Sequence, residues 1–260
     1  LNEVALLLAD LHAAVPDAEE LIRWTAGLPL PKLSVQQNFT CVSMAHPLEY
    51  PMNEGRIVSD TGLDIGPTEF EQYFQEQQVP YSTALQCTLT GNSYLVGPLA
   101  RLNLNYHHLP RNLTAIIEDL GLHFPSKNMF HSVVARAIEV CYGILEAIRI
   151  LKNYQLPSQS YVRASPKKGI AYGCTEAPRG TLWHRYEIGS DGIIQLAKIV
   201  SPTSQNQYRI EEDLRISLES AGLARSDDEM RLQSEIIIRN YDPCISCSTH
   251  FLTLRTARLI

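Results

Sequence analysis

Tyr241-Asp242-Pro243-Cys244-Ile245-Ser246-Cys247-Ser248-Thr249-His250 is the most specific stretch of this 260-residue chain. Two thiols three residues apart, with an imidazole three residues further on, make half of a metal site, and thiolates favour soft metals such as nickel, zinc or iron. Taken alone, the pair is half of a structural zinc site, a redox dithiol, two ligands of a larger cluster, or two incidental cysteines. A zinc ribbon needs a second Cys-x-x-Cys, and the chain contains none. A thioredoxin-type dithiol opens a helix after a strand, whereas this pair follows a helical pattern.

The bulk composition narrows the class. Hydrophobic residues make up 45% of the chain and the net charge is −6, values that suit a globular protein. Its basic residues form no stripe that would follow a phosphate backbone, so nucleic acid is not an expected partner. No run approaches the roughly 20 apolar residues that span a bilayer, and no secretory signal opens the chain. Reduced thiols in the cytoplasm are the expectation for the six cysteines, with Cys41, Cys87 and Cys141 read as small buried hydrophobes. The chain opens on Leu1 in mid-helix pattern, which suggests sequence upstream.

Periodicity predicts a mostly helical α+β chain in one domain, residues 1–260. Leu1, Val4, Leu7, Leu8 and Leu11 recur at helical spacing, and Pro16-Asp17 starts a second segment that ends at Gly27, Pro29 and Pro31. A strand is predicted over 39–45. Gly66-Pro67-Thr68 reads as a helix start for Phe70, Tyr73 and Phe74. The clearest helix runs over 128–153, with an apolar stripe from Phe130 to Leu151 and with Arg136, Glu139 and Glu146 off that stripe. Residues 186–188 and 193–200 read as a hairpin across Gly189-Ser190-Asp191-Gly192. Charged helices are predicted over 211–220 and 227–239.

Two further segments carry candidate chemistry. In Glu176-Ala177-Pro178-Arg179-Gly180, a Pro-Arg-Gly turn can aim a rigid guanidinium at an anionic ligand or a developing charge. Ser201 to Asn206 reads as a polar loop. Each is unremarkable alone, as a surface arginine and a loop.

Together and in this order, the three segments resemble the large (alpha) subunit of nickel–iron hydrogenases. Asp242-Pro243-Cys244-x-x-Cys247-x-x-His250 matches that family's C-terminal signature, Glu176 to Gly180 and Pro202-Thr203 match its internal motifs, and Val96-Gly97-Pro98-Leu99-Ala100-Arg101 is a further family-like segment. The variant residues lean toward the cytosolic NAD(P)-linked and sulfhydrogenase-type branch. The resemblance implies a helical core with small β hairpins and a centre of nickel and iron, the iron carrying cyanide and carbon monoxide. It implies Cys244 as a nickel thiolate and Cys247 as the thiolate bridging nickel and iron. Arg179 would lie over the metals, donating to a cyanide and assisting proton transfer, with Asp242 holding it. Thr203, from the Pro202-Thr203 motif, would donate to the other cyanide. His250 and the main-chain carbonyl of Ile199 would bind magnesium. His184 is the one other histidine worth testing.

The implied reaction is the reversible heterolytic cleavage of dihydrogen. Electrons would leave through an iron–sulfur small subunit, with diaphorase-type subunits beyond it; a nickel-insertion chaperone and a maturation protease are the implied assembly partners. Two departures qualify this. The family's Arg-x-Cys-Gly-x-Cys motif, source of two more nickel thiolates, is absent from these residues, as expected of the C-terminal portion of a larger subunit. The tail 251–260 is expected to be the segment that the protease removes. The rival readings are a non-catalytic hydrogenase-derived module, a zinc-binding structural domain and a hydrogen-sensing subunit.

Overall fold

The computed structural model describes residues 2–30, 39–82, 84–222 and 224–244. Among these, seven α-helices and three small antiparallel sheets build an α+β fold around two adjoining cores. No helix among the described residues is long and apolar enough to cross a membrane.

The helical core is organised by α5 (His131–Lys152), where the apolar stripe predicted over 128–153 is buried through Val134, Ala137, Ile138 and Cys141. It packs along α1 (Asn2–Ala26), which buries Ala18 and Ile22, and against α3 (Pro98–Asn105), with α4 (Arg111–Asp119) burying Leu113, Ile116 and Ile117 in the same core. α1 is one continuous helix with Pro16 inside it, where the sequence predicted a break. A proline keeps helical φ but removes one hydrogen bond and crowds the carbonyl four residues back; Pro16 and His12 both lie on the exposed side, where water can take the freed carbonyl.

The second core lies between the sheets. β1 (Val42–Ala45), β2 (Arg56–Ser59) and β3 (Asp64–Ile65) form one sheet, and β4 (Phe74–Gln78) pairs with β5 (Leu85–Leu89). A third sheet joins β6 (Gly169–Ala177), β7 (Gly180–Ile188) and β8 (Ile194–Val200). Trp183 is fully buried, stacks on Phe70 at 4.7 Å and donates from Nε1 to the Pro67 carbonyl at 2.7 Å. The helix expected to run from Pro67 through Phe74 is therefore short. After one 3-10 turn comes α2 (Phe70–Tyr73); Phe74 then stacks on Phe70 at 4.3 Å and turns extended to pair with Leu89. Alternation divides neighbouring residues between the cores: Cys41 and Leu95 face the helices, Val42 and Val96 the sheets.

Two further differences bear on function. The predicted hairpin is the outer half of a three-stranded sheet whose β6 was not anticipated. The stretch 201–206, read as a loop, is the start of α6 (Pro202–Ala221): Ser201 caps it by accepting from the Ser204 N–H, and Pro202 takes the first helical position. α7 (Asp227–Asn240), opened by a Ser226/Glu229 capping box, then leads to Asp242.

Ile138→Ala should lower stability by about 2–5 kcal/mol, whereas Ile150→Ala on the exposed side should change it by less than about 0.5 kcal/mol. Urea unfolding midpoints compare the two; equal losses would mean that α5 is not packed along this stripe.

Candidate metal centre

The β6–β7 pairing ends at Ala177 opposite Gly180, which leaves Pro178-Arg179 as a two-residue turn. Its shape is set by a buried arginine from α3. Arg101 uses all five of its N–H donors. Nε reaches Glu139 Oε1 at 2.7 Å; Nη1 reaches Glu176 Oε2 and the Ala177 carbonyl, both at 2.8 Å; Nη2 reaches Glu139 Oε2 at 2.6 Å and the Pro178 carbonyl at 3.0 Å. Glu176 accepts on its other oxygen from the Met44 N–H at 2.7 Å and the Thr181 hydroxyl at 2.9 Å, and Tyr50 donates to Glu139 at 2.7 Å. Burial pushes the Glu176 carboxyl above the ordinary carboxylate range, against the pull of Arg101, Met44 and Thr181.

A second lock presses on the same turn. Gly97 and Gly180 both have positive φ, +113° and +137°. A Cβ on Gly97 would lie 2.8 Å from the Arg179 carbonyl, and one on Gly180 would lie 2.5 Å from Val96 Cγ2. Only glycine allows this approach. From α6, Asn206 clasps the Val96 backbone in both directions, at 2.9 and 3.1 Å, and Gln205 donates to the Thr181 carbonyl at 2.6 Å.

So held, Arg179 meets the segment leaving α7. Its Nε donates to the Asp242 carbonyl at 2.6 Å and lies 3.3 Å from Asp242 Oδ2. Arg136 of α5 donates to the Asn240 carbonyl at 3.1 Å, and its Nε lies 4.0 Å from Asp242 Oδ2. Asp242 has φ +50°; Cys244 follows two residues later, half-buried. Pro202 is buried and Thr203 half-buried in the first turn of α6, whose amide ends carry partial positive charge. Ile199, 51% exposed, pairs with His184 in the β7–β8 register. Cys247, His250 and the tail 251–260 lie outside the described residues. A cavity of about 270 Å³ opens beside the turn, lined by Tyr50, Met52, Arg136, Glu139, Tyr142 and Pro178 among others.

Four of the described cysteines are unsuited to a metal. Burial pushes the thiols of Cys41 and Cys87 up to about 12 and that of Cys141 to about 11, and Cys174 is raised too, so all four stay protonated. No group of three or more His, Cys, Asp or Glu side chains among the described residues could hold a metal ion.

The pattern of the nickel-dependent hydrogenases matches residues 60–250. This chain belongs to that family. It is 31% identical over 189 residues to sulfhydrogenase 2 subunit alpha of Pyrococcus furiosus, covering 70% of this chain and 45% of that one. It is 34% identical over 169 residues to the NAD-reducing hydrogenase HoxS subunit beta of Cupriavidus necator, covering 62% and 34%. Among solved structures, an NAD+-reducing NiFe hydrogenase in its H2-reduced state superposes with a TM-score of 0.69 at 22% identity, covering 96% of this chain and 58% of that one. A NiFeSe hydrogenase of Desulfovibrio vulgaris Hildenborough gives 0.67 at 19%, covering 96% and 61%. At these identities the superpositions speak to the fold, a hydrogenase large-subunit fold. The chain spans about half the length of the sulfhydrogenase alpha subunits it matches.

The supports of this turn are not legible in the sequence alone. Arg136 and Glu139 were read as the polar face of a core helix; they face the 240–242 segment and Arg101. The available signal was an Arg and a Glu three apart on one helix, together with an Arg closing the Val96–Arg101 segment. Arg101→Met should leave the buried Glu176 and the partly buried Glu139 without their cation and cost about 3–5 kcal/mol. Arg101→Lys should recover little of this, since an ammonium has three donors for five acceptors. Thermal unfolding of both variants checks this; a stable Lys variant would mean that the charge alone suffices.

Proposed function

We propose that this chain is the C-terminal portion of the catalytic large subunit of a nickel–iron hydrogenase, an enzyme that as a whole interconverts dihydrogen with two protons and two electrons. The supporting observation is Arg179 seated on Asp242, two residues before Cys244, in a chain of the nickel-dependent hydrogenase family. Cys244 and Cys247 would supply nickel and iron thiolates, two of the four that the centre needs. Thr203 and Arg179 would face the cyanides of the iron, and His250 with the Ile199 carbonyl would take magnesium. The bound centre supplies the redox-active site at which the H–H bond is polarised.

This chain's residues supply geometry and proton handling. Arg179 spends Nε on Asp242, and its two terminal amino groups take part in none of the contacts described. They are donors that need no reorganisation as charge develops nearby. The fixed direction of the guanidinium comes from its turn, because the half-exposed ion pair itself contributes about 1 kcal/mol or less. Cys244 Sγ or the Arg179 guanidinium would take up the proton released in heterolytic cleavage and pass it on.

We read residues 1–260 as one domain, with 251–260 removed in maturation. Electrons would pass through an iron–sulfur small subunit and diaphorase-type subunits to NAD(P) in the cytoplasm, as the likeness to an NAD-reducing hydrogenase supports.

In the full-length enzyme with its partner subunits, Cys247→Ser should abolish hydrogen uptake and lower nickel and iron content. Normal metal content and turnover would refute the bridging role; zinc in place of nickel would favour a structural domain. Arg179→Lys should keep the metals and slow turnover at least about tenfold, roughly 1.4 kcal/mol. An unchanged rate would reduce Arg179 to a turn residue.

A further inference from the structure

The three residues before Pro243-Cys244 are each tied to a different part of the fold. Asn240, 3% exposed, donates from Nδ2 to the Met129 carbonyl at 2.8 Å, and its own carbonyl accepts from Arg136. The Asp242 carbonyl accepts from Arg179. Between them Tyr241, 6% exposed, donates its hydroxyl to Asp213 Oδ2 in the middle of α6, where Asp213 is 1% exposed and already paired through Oδ1 with Arg209.

Arg209 is shared between Asp213 Oδ1 and Glu212, 3.2 Å away, and the Tyr241 phenol is the donor on the other oxygen of the buried Asp213 carboxylate. A phenylalanine would fill the same core position without burying a hydroxyl. The phenol instead fixes the spacing between α6 and the end of α7, because a buried O–H on a carboxylate is strong and directional. From Tyr241 to Cys244 the chain has restricted freedom: the Asp242 N–H donates to the Arg239 carbonyl at 3.0 Å and its own carbonyl accepts from Arg179, and Pro243 has its φ locked by its ring. A shift at Tyr241 is therefore passed on to the thiol.

We infer that Tyr241, with Asp213 and Arg209 behind it, is a positioning residue that sets the place of Cys244 before any metal arrives, so that the metal meets a preorganised ligand. The inference rests on the hydrogenase reading for the metal but not for the anchoring itself. α6 would thus serve the site twice, its first turn carrying Pro202-Thr203 and its middle anchoring the cysteine segment.

The test is Tyr241→Phe in the full-length enzyme with its partner, beside Tyr208→Phe as a control that removes another hydroxyl from the same region. Hydrogen exchange followed by mass spectrometry reads the amides of Asp242 and Cys244, and transfer of nickel to a chelator reads metal retention. Tyr241→Phe should quicken both about tenfold, with helix content unchanged and the control at wild-type values. Unchanged exchange and nickel release would overturn the inference and leave Tyr241 a packing residue. A wild-type enzyme that binds no nickel would refute the hydrogenase reading, while the exchange comparison would still decide the anchoring.

Discussion

Arg101 is the interaction on which the candidate site depends. It reaches from α3 to α5 through Glu139, to β6 through Glu176, and to the carbonyls of Ala177 and Pro178. Only a guanidinium offers five donors in one plane. Magnitudes separate support from function here. Removing one partner of a buried pair costs about 3–5 kcal/mol, whereas the half-exposed Arg179–Asp242 contact contributes about 0–1 kcal/mol. Arg179 is thus held by its backbone turn, and the turn by the buried Arg101 and by the glycine contact at Gly97 and Gly180.

α6 completes the arrangement. Its capped start carries Pro202 and Thr203, its second turn clasps Val96 and Thr181 through Asn206 and Gln205, and its middle receives Tyr241. The motif segments Pro178-Arg179-Gly180 and Pro202-Thr203 lie on this turn and at the start of this helix. Rigid elements surround the half-exposed residues expected to act, an economical way to preorganise a site.

The core helices were legible because their stripes are local: 131–152 was read as 128–153, and 227–240 as 227–239. Elements whose form depends on distant partners were not. β6 carries no clean alternation, since Gly169, Gly173 and Ala171 leave its outer face blank, and it is extended only because β7 pairs with it. Residues 201–206 look like a loop by composition, yet serine before proline is also a helix start, and burial of Gln205 and Asn206 decides between the two. Arg179, Asp242 and Cys244 could be picked out from their motifs. Arg101 with Glu139 and Glu176 could not, because those partners lie 38 and 75 residues away in sequence.

The central claim is that Arg179 and Cys244 converge on a nickel ion. Anomalous diffraction at the nickel absorption edge, on crystals of the full enzyme grown without oxygen, tests it most directly. The account predicts a single nickel peak within bonding distance of Cys244 Sγ, with the Arg179 guanidinium beside it and its Nε on Asp242. A nickel peak away from Cys244, or a zinc edge signal in its place, would contradict it.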